Sequence, residues 1–391
     1  MSFHSSLFAL RSSHFALHRV RGACWSGLAS GAGFCVHAGM STSPNRRTFC
    51  GAAAAALGLA ALPRRVTAAA AAPASTPAAG APAASTVATP GPTPPPKSHA
   101  KPFVYPFLIG SVEAWSISDG HMLFNDRLDK MRPPEQREAM KADLVARGER
   151  VDGIPLYVNV LVLRRGREVI LCDGGFGVRT NPNIGWVADG LREIGIRREE
   201  VTQTILSHGH ADHIGGFVHA GKPMFPNAAL RVMKAEVDFW RGPNPDFSRS
   251  FRRDNIPAMI RDVRAALEVL QPNLQLHRDG DQLLGDLVTF QAAPGHTDGH
   301  CTLLVRDGRD TLVHLMDVAH HHQLMFTDPS WYIEFDHVPE QAVATRRRLF
   351  AELSEHRTRA YGFHLPWPGL GRILPQGAGY RWEAERWSWG S

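Results

Sequence analysis

Short apolar runs separated by turn residues follow one another from Phe103 onward, and unusual polar side chains stand where these runs end. The segment LYVNVLVLRRGREVILC, residues 156–172, predicts two strands joined by a turn at Gly166. The segment HCTLLVRDGRDTLVHLM, residues 300–316, repeats this plan around Asp307 and Gly308. Two segments with the same strand–turn–strand pattern predict a core of two sheets related by internal pseudo-symmetry.

Apolar residues at helical spacing alternate with these strands. The spacing predicts a helix across residues 186–194, a strand then a helix within 225–240, and a helix across 256–270. A last helix is predicted from Pro339 to about His356. Two further strands, within residues 201–206 and 286–292, run straight into histidine-bearing loops. Helices that alternate with strand pairs predict a layered α/β sandwich.

Residues 1–100 differ in composition from the rest of the chain. Residues 45–70, NRRTFCGAAAAALGLAALPRRVTAAA, place an arginine pair before an Ala/Leu-rich run and a stretch of small residues. The pattern resembles a twin-arginine export signal, with an ordinary secretory signal as the alternative, and predicts a periplasmic or secreted protein. We expect residues 1–39 to be an upstream extension without function, 40–71 the signal peptide and 72–100 an Ala/Pro-rich disordered linker. The apolar run is too short for a stable membrane span.

The basic charge of the chain comes from this leader. Residues 1–100 hold eight of the 43 Lys and Arg residues and no Asp or Glu. Residues 101–391 therefore carry 35 basic and 37 acidic side chains, a net charge of −2 that predicts no nucleic-acid partner. Cys172 and Cys301 are the cysteines of this region, and each lies in an apolar strand-like run. Two buried free thiols and a disulfide are both open, with free thiols favoured.

The stretch LSHGHADHIGG, residues 206–216, directly follows a predicted strand and places three histidines and one aspartate within six positions. Imidazole nitrogen and carboxylate oxygen suit zinc and similar divalent metals. His208 and His210, two positions apart on an extended loop, can reach one ion. Asp212 and His213, at the start of a helix, point to the other side and can hold a second ion.

Three more strand-end residues complete this donor set. His296 and His364 are the available donors for the two ions, and Asp317 can bridge them. Seven ligands for two metals leave room for a bridging hydroxide, which is the layout for hydrolysis. A histidine-rich loop without metal is the alternative for the cluster, and structural histidines are the alternative for His296 and His364 taken alone.

This order of motifs resembles the metallo-β-lactamase fold superfamily over about residues 105–370. The resemblance implies a four-layer αββα sandwich, with residues 101–391 forming a hydrolase domain that holds two divalent ions, zinc first. The implied roles are metal one for His208, His210 and His296, metal two for Asp212, His213 and His364, a bridge for Asp317, and site orientation for Asp173. It further implies catalysis by a metal-bridging hydroxide, with Asp212 or Asp317 moving a proton afterwards.

Two other stretches, MFPNAALRVMKAEVDFW and GFHLPWPGLGRI, look like the methyl parathion hydrolase and lactonase branch. This branch implies a small neutral ester as the substrate, such as a lactone, an aryl ester or an organophosphate triester. A β-lactam hydrolase and a non-catalytic metal-binding protein are the alternatives, and a homodimer stays open. The chain departs from the family pattern at Asp298, which stands where relatives usually have proline, and at Met316, which replaces the common glycine.

Two aromatic residues are candidates for an apolar substrate pocket. Phe217 follows the histidine cluster, and Trp367 stands three residues after His364. Core packing is the alternative for both. The run from His320 to His322 has no place in the motif and is interpreted as a loop, with one of the three as a candidate for substrate contact.

Overall fold

The computed structural model describes residues 103–125, 131–132, 134–177 and 182–386. The predicted upstream extension, signal peptide and linker, residues 1–100, lie outside the described residues.

The strands are numbered in chain order. They are β1 Val104–Ile109, β2 Val112–Asn125, β3 Met131–Arg132, β4 Gly153–Arg165, β5 Glu168–Cys172, β6 Gln203–Leu206, β7 Val218–His219, β8 Lys222–Pro223, β9 Ala229–Met233, β10 Leu274–His277, β11 Gln282–Leu283, β12 Val288–Ala292, β13 Cys301–Asp307, β14 Asp310–His314, β15 Tyr332–Ile333, β16 Arg359–Tyr361, β17 Leu370–Gln376 and β18 Gly379–Ala384.

The helices are numbered in the same way. They are α1 Arg137–Ala146, α2 Val187–Glu193, α3 Ala211–Ile214, α4 Lys234–Arg241, α5 Ile256–Leu270, α6 Leu324–Thr327 and α7 Pro339–Glu355. Short 3-10 turns lie at Pro134–Gln136, Arg198–Glu200, Gly215–Phe217, Gln271–Asn273 and Met316–Val318.

Most of the strands form two seven-stranded sheets. The first sheet has the order β1-β2-β4-β5-β6-β9-β10, with parallel pairing from β5 to β10. The second sheet has the order β11-β12-β13-β14-β16-β17-β18, in which only β14 and β16 pair in parallel. In both sheets an antiparallel hairpin, which the repeated sequence pattern predicted, leads into a parallel strand, which it did not predict.

Alternating side chains of β4 explain why the sheets stack as inner layers. Val160 and Val162 pack with residues of α2, α4 and α5 on one face of the first sheet. Leu161 and Leu163 point the other way and pack against residues of the second sheet such as Phe290. Successive side chains of a strand point to opposite faces, so a strand buried on both sides reads as a continuous apolar run.

A third apolar cluster covers the outer face of the second sheet. It joins residues of α1, α6 and α7 to strand residues such as Val313, Ala360 and Ile373. The order of layers is therefore helix, sheet, sheet, helix, and the predicted four-layer αββα sandwich is confirmed.

The sequence pattern missed two larger parts of this fold as well as several short elements such as α6 and β15. Helix α1 and the hairpin of β17 and β18 were not predicted, because α1 buries only Met140 and Leu144 and because glycines, Gly371 and Gly379, occupy two buried positions of the hairpin. The free-thiol interpretation of Cys172 and Cys301 holds, since both side chains are unpaired and buried between the sheets. Burial raises the pKa of both thiols.

Candidate metal centre

The first ligand loop, residues 207–213, leaves the end of β6 and leads into α3. Its start is fixed by Asp173, which follows β5. The Asp173 carboxylate accepts the Ser207 amide at 2.8 Å and the Ser207 hydroxyl at 2.7 Å, and its Oδ2 lies 2.7 Å from His213 Nδ1. Asp173 itself has φ +62°, a left-handed conformation that turns the chain sharply at the strand end. Asp173 thus holds the Nδ1 side of the His213 ring, and the orienting role that the resemblance implied for it stays a prediction.

The second ligand loop, residues 293–300, joins β12 to β13 in the other sheet. His296 of this loop meets the first ligand loop at the junction of the sheets. His296 Nε2 lies 3.0 Å from His210 Nδ1, which in turn lies 3.0 Å from His208 Nε2. Asp336 holds the opposite ring nitrogen, with its Oδ1 2.8 Å from His296 Nδ1. The structure thus brings the three predicted donors for metal one together, and one ring nitrogen of each lies within 4.8 Å of the others.

The predicted donors for metal two form a second group beside the first. His364 Nε2 and His213 Nε2 lie 3.5 Å and 3.7 Å from Asp212 Oδ2. His364 Nδ1 donates to the Tyr157 carbonyl at 2.6 Å, which leaves the lone pair of Nε2 directed at the group.

Asp317 follows β14 and contacts both groups. Its Oδ2 lies 3.1 Å from His296 Nε2 and 3.2 Å from His364 Nε2, and its Oδ1 lies 3.2 Å from His213 Nε2. Burial acts to raise the pKa of Asp317, but the surrounding histidines hold it well below its usual value. The preceding Met316 has φ +50°, a conformation that favours the glycine common in the family.

Buried polar atoms without hydrogen-bond partners indicate whether cations would fit this cluster. Among the described residues, His213 Nε2 and Asp317 Oδ1 are buried without a hydrogen-bond partner although they lie 3.2 Å apart. When the His213 ring is neutral and its Nδ1–H faces Asp173, its Nε2 presents a lone pair to a carboxylate oxygen, so that two acceptors face each other unless a proton or a cation lies between them. Divalent cations between such atoms would satisfy both, so the residues fit the two ions.

The pKa values of His208 and His213 shift in opposite directions within this cluster. Burial is the largest influence on the pKa of His208 and lowers it well below the usual value, which keeps a neutral ring for metal binding. Burial also acts to lower the pKa of His213, but the carboxylates of Asp317, Asp212 and Asp173 raise it well above the usual value.

His320 is a site residue that the sequence interpretation did not place in the centre. Its Nε2 lies 3.1 Å from Asp317 Oδ2, and its ring stacks on that of His364 with centroids 5.1 Å apart. Burial lowers its pKa to about 4, so the ring is neutral near pH 7. No residue spacing in the histidine run distinguished His320 from His321 and His322, which lie farther along the loop.

A cavity of about 560 Å³ opens onto the centre. Polar residues of the centre form its floor: His210, Asp212, His296, Asp317, His320 and His364. Its walls are mainly apolar and come from β2, β4, α3, α5 and two loops; the apolar side chains are Met122, Leu156, Phe176, Ile214, Ala258, Met259, Val263, Ala266 and Phe335. Arg252, Asn255 and Asp262 add polar groups to these walls. A smaller cavity of about 240 Å³ adjoins His320 and His364 and is lined by more polar residues such as Glu149 and Tyr157.

The prediction that Phe217 and Trp367 line the substrate pocket is corrected by the structure. Phe217 is 1% exposed and packs in the apolar cluster under the first sheet, where its ring contacts Phe225. The 3-10 turn after α3 directs this side chain into the core and not toward either cavity described here. Trp367 is half-buried against Phe103 and lines neither of these cavities. Phe176 and Phe335 are the aromatic side chains that do line the large cavity.

The family model for the metallo-β-lactamase superfamily matches residues 153–362, more than half of the chain. The chain belongs to this superfamily. The match spans the two ligand loops and Asp317, and His364 follows two residues after its end. The predicted membership is therefore confirmed at the level of the superfamily, and the branch stays a prediction.

Relatives within the superfamily are named as hydrolases. A probable metallo-hydrolase of Mycobacterium bovis is 26% identical over 198 residues, which cover 43% of this chain and 59% of the relative. An N-acyl homoserine lactonase of Bacillus cereus is 26% identical over 160 residues, 41% of this chain and 54% of that enzyme. This chain thus matches little more than half the length of either curated relative.

Solved structures of the superfamily match over a longer span. AidC, described as a dizinc quorum-quenching lactonase in complex with a product, is 28% identical, with a TM-score of 0.70 over 74% of this chain and 99% of AidC. The hydrolase AbOPH is 24% identical, with a TM-score of 0.65 over 73% of this chain and 98% of its own, and supports the fold alone. Among the described residues, no helix has the length and apolar character needed to cross a membrane.

Proposed function

We propose that this chain is a binuclear metal-dependent hydrolase that cleaves neutral ester-type substrates, with lactones first. The observation that carries the proposal is the pair of buried donor groups that share Asp317 at the floor of a largely apolar cavity. Zinc is the metal we propose for both positions, because AidC is described as a dizinc lactonase. When bound, two divalent ions polarise a substrate oxygen and lower the pKa of water to about 7.

The residues of the chain divide the remaining work. His208, His210 and His296 would hold the first ion, and Asp212, His213 and His364 the second. Asp317 would contact both and keep the two positions at a fixed separation. Asp173, Asp336 and the Tyr157 carbonyl orient three of the rings through their far nitrogens.

Proton movement is assigned to the carboxylates on the floor of the cavity. Asp212 is the more accessible of the two, with 13% of its side chain exposed compared with 3% for Asp317. An accessible carboxylate beside the reacting centre can take a proton from the attacking oxygen and return it to the leaving oxygen. His320 lines the same floor, and its neutral ring can hydrogen-bond a substrate oxygen.

The walls of the cavity favour a neutral substrate with an apolar arm. Met122, Phe176 and Met259 contribute apolar area above the polar floor, and Ala258 leaves space between them. An acyl or aryl group would bury against these side chains while its ester group reaches the floor. Aryl esters and organophosphate triesters fit the same description, and a β-lactam hydrolase or a non-catalytic metal-binding protein is the competing function.

A panel of substrates tests the proposal directly. The zinc-loaded protein would be assayed on an N-acyl homoserine lactone, an aryl phosphotriester, an aryl ester and a β-lactam. We expect lactone cleavage that a chelator abolishes and that His210→Ala reduces by at least about 10³-fold. His219→Ala is the matched control, because His219 is exposed on β7 and lines neither of the two cavities at the centre. Preference for the β-lactam, or zinc binding without turnover, would contradict the proposal.

We also propose that the twin-arginine route exports the protein and that residues 40–71 are removed. This proposal rests on the sequence pattern of the leader. N-terminal sequencing of protein from the periplasm would test it, with a mature start at about residue 72 as the expected result. A cytosolic protein that keeps Arg46 and Arg47 would contradict it.

A further inference from the structure

Glu236 is a buried carboxylate that the mechanism above does not use. It lies in the first turn of α4 and is 1% exposed. A carboxylate removed from water costs free energy unless hydrogen bonds replace the lost hydration. Its four partners show where that compensation comes from.

All four groups around Glu236 are hydrogen-bond donors. Its Oε1 accepts the Gly209 amide at 2.8 Å and the Trp240 indole N–H at 2.6 Å. Its Oε2 accepts the Thr297 hydroxyl at 2.6 Å and the Gly299 amide at 3.0 Å. Both oxygens are therefore occupied, so Glu236 is not available as a metal ligand. Burial raises the pKa of Glu236, and these four donors oppose the rise.

The partners belong to the two ligand loops of the candidate centre. Gly209 stands between His208 and His210 in the first ligand loop. Thr297 and Gly299 follow His296 in the second ligand loop. The first loop extends from the first sheet and the second loop from the second sheet, so one carboxylate joins the two halves of the fold at the metal centre.

Two glycines allow this close approach. A Cβ at Gly299 would lie 2.0 Å from the Glu236 backbone nitrogen, and one at Gly209 would lie 2.5 Å from Trp240 Nε1. Neither backbone could carry a side chain and still reach the carboxylate. The same physical reason thus explains why glycine stands in both motifs, His208-Gly209-His210 and Gly299-His300: a side chain at either position would prevent the close approach to Glu236 and Trp240.

We infer that Glu236 is a positioning residue that holds the two ligand loops together and so sets the affinity of the first metal position. This rests on the proposed two-metal function. The second position has other supports, because Asp173 holds His213 and the Tyr157 carbonyl holds His364. Loss of Glu236 therefore affects the two positions unequally.

Replacement by glutamine gives the sharpest test. Glu236→Gln keeps the size of the side chain but puts an NH₂ group against donors that include a backbone N–H. We expect one of the two zinc ions to bind about 10–100-fold more weakly in chelator competition, with the other unchanged. Loading with Co²⁺ gives a second readout, in which the visible spectrum of only one position changes.

Two further variants keep the test decisive. Asp238→Asn removes the same charge from the exposed side of α4, and we expect wild-type affinity at both positions. Thr297→Val removes a single donor, and we expect a smaller loss at the same position, which decides the matter if Glu236→Gln does not fold. Wild-type affinity of both positions, or an equal loss at both, would overturn the inference. A wild-type protein that binds fewer than two ions would instead overturn the proposed function and this inference with it.

Discussion

Asp119 gives a prediction about stability that does not depend on the metal centre. It lies in β2 at an irregularity in pairing and is fully buried. Its two oxygens accept the Phe176 amide at 2.8 Å and the Val187 amide at 2.9 Å. The groups that lower its pKa are backbone amides, but burial dominates and raises the pKa from 3.8 to about 7. The folded protein therefore binds a proton here that the unfolded chain releases near pH 4.

The sign and size of the effect follow from this difference. A carboxyl with a raised pKa in the folded state lowers the stability as pH rises from about 4 to about 7. The full loss is about 4 kcal/mol, and about 3 kcal/mol of it falls between pH 5 and pH 8. Asp119→Asn cannot titrate, although it leaves one backbone amide facing an NH₂ group at a cost of about 1–3 kcal/mol.

The comparison between the two proteins isolates this effect. We expect wild type to be the more stable protein at pH 5, and its advantage to fall by about 3 kcal/mol, to zero or below, by pH 8. Urea unfolding of both proteins at matched zinc concentration measures the difference, in which protons linked to the metal centre cancel. The exposed Asp238→Asn serves as control, with no such trend. Unfolding free energies of wild type and Asp119→Asn that stay parallel across this range would refute the reasoning.

Three further predictions concern packing, the cavity and the metals. Gly216→Ala would place a Cβ 1.7 Å from the Gly174 carbonyl oxygen, so we expect the unfolding free energy to fall by at least about 3 kcal/mol. Gly242→Ala is the control: its Cβ would lie 3.0 Å from the nearest atom, and we expect a much smaller fall in unfolding free energy. Met259→Trp narrows the large cavity. Steady-state kinetics should show a KM that rises about 10-fold or more for substrates with long acyl chains and little for those with short ones. Equal effects on both kinds of substrate would contradict the proposal that this wall contacts the acyl chain. Removal of zinc should lower the unfolding free energy by about 4 kcal/mol for each ion, about 8 kcal/mol for the two proposed ions, relative to protein at 1,000-fold excess of free zinc over each Kd. Thermal unfolding with and without chelator would show no change if the cluster binds no metal.

The sequence alone predicted the layered fold and the donors of the candidate centre for clear physical reasons. Strands buried on both faces, such as β4 and β13, show long apolar runs. Donors such as His208 and Asp317 stand where those runs end, and neighbouring strand ends meet at one edge of a sheet sandwich. The periodicity of apolar residues and the position of the polar residues at strand ends were enough to predict these features.

Other residues of the centre could not be predicted from the sequence. Glu236 and Asp336 act through contacts with residues 27 or more positions away in the chain, and neither stands in a local motif. His320 differs from its two histidine neighbours only in direction, which the turn after Asp317 sets. Phe217 was placed at the pocket because it follows the donors, but the turn at Gly215 directs it into the core. Direction of a side chain in a loop is a property of backbone geometry that residue spacing does not encode.

The central claim is that two metal positions share Asp317, and a zinc titration with matched variants tests it most directly. Calorimetric titration of the metal-free protein should give two zinc ions per chain. The account predicts one remaining ion in His296→Ala, which removes a donor of the first position, and one in His364→Ala, which removes a donor of the second. The exposed His219→Ala should keep two. A single zinc ion per chain in wild type, or the loss of both ions in each donor variant while the fold is kept, would contradict the account.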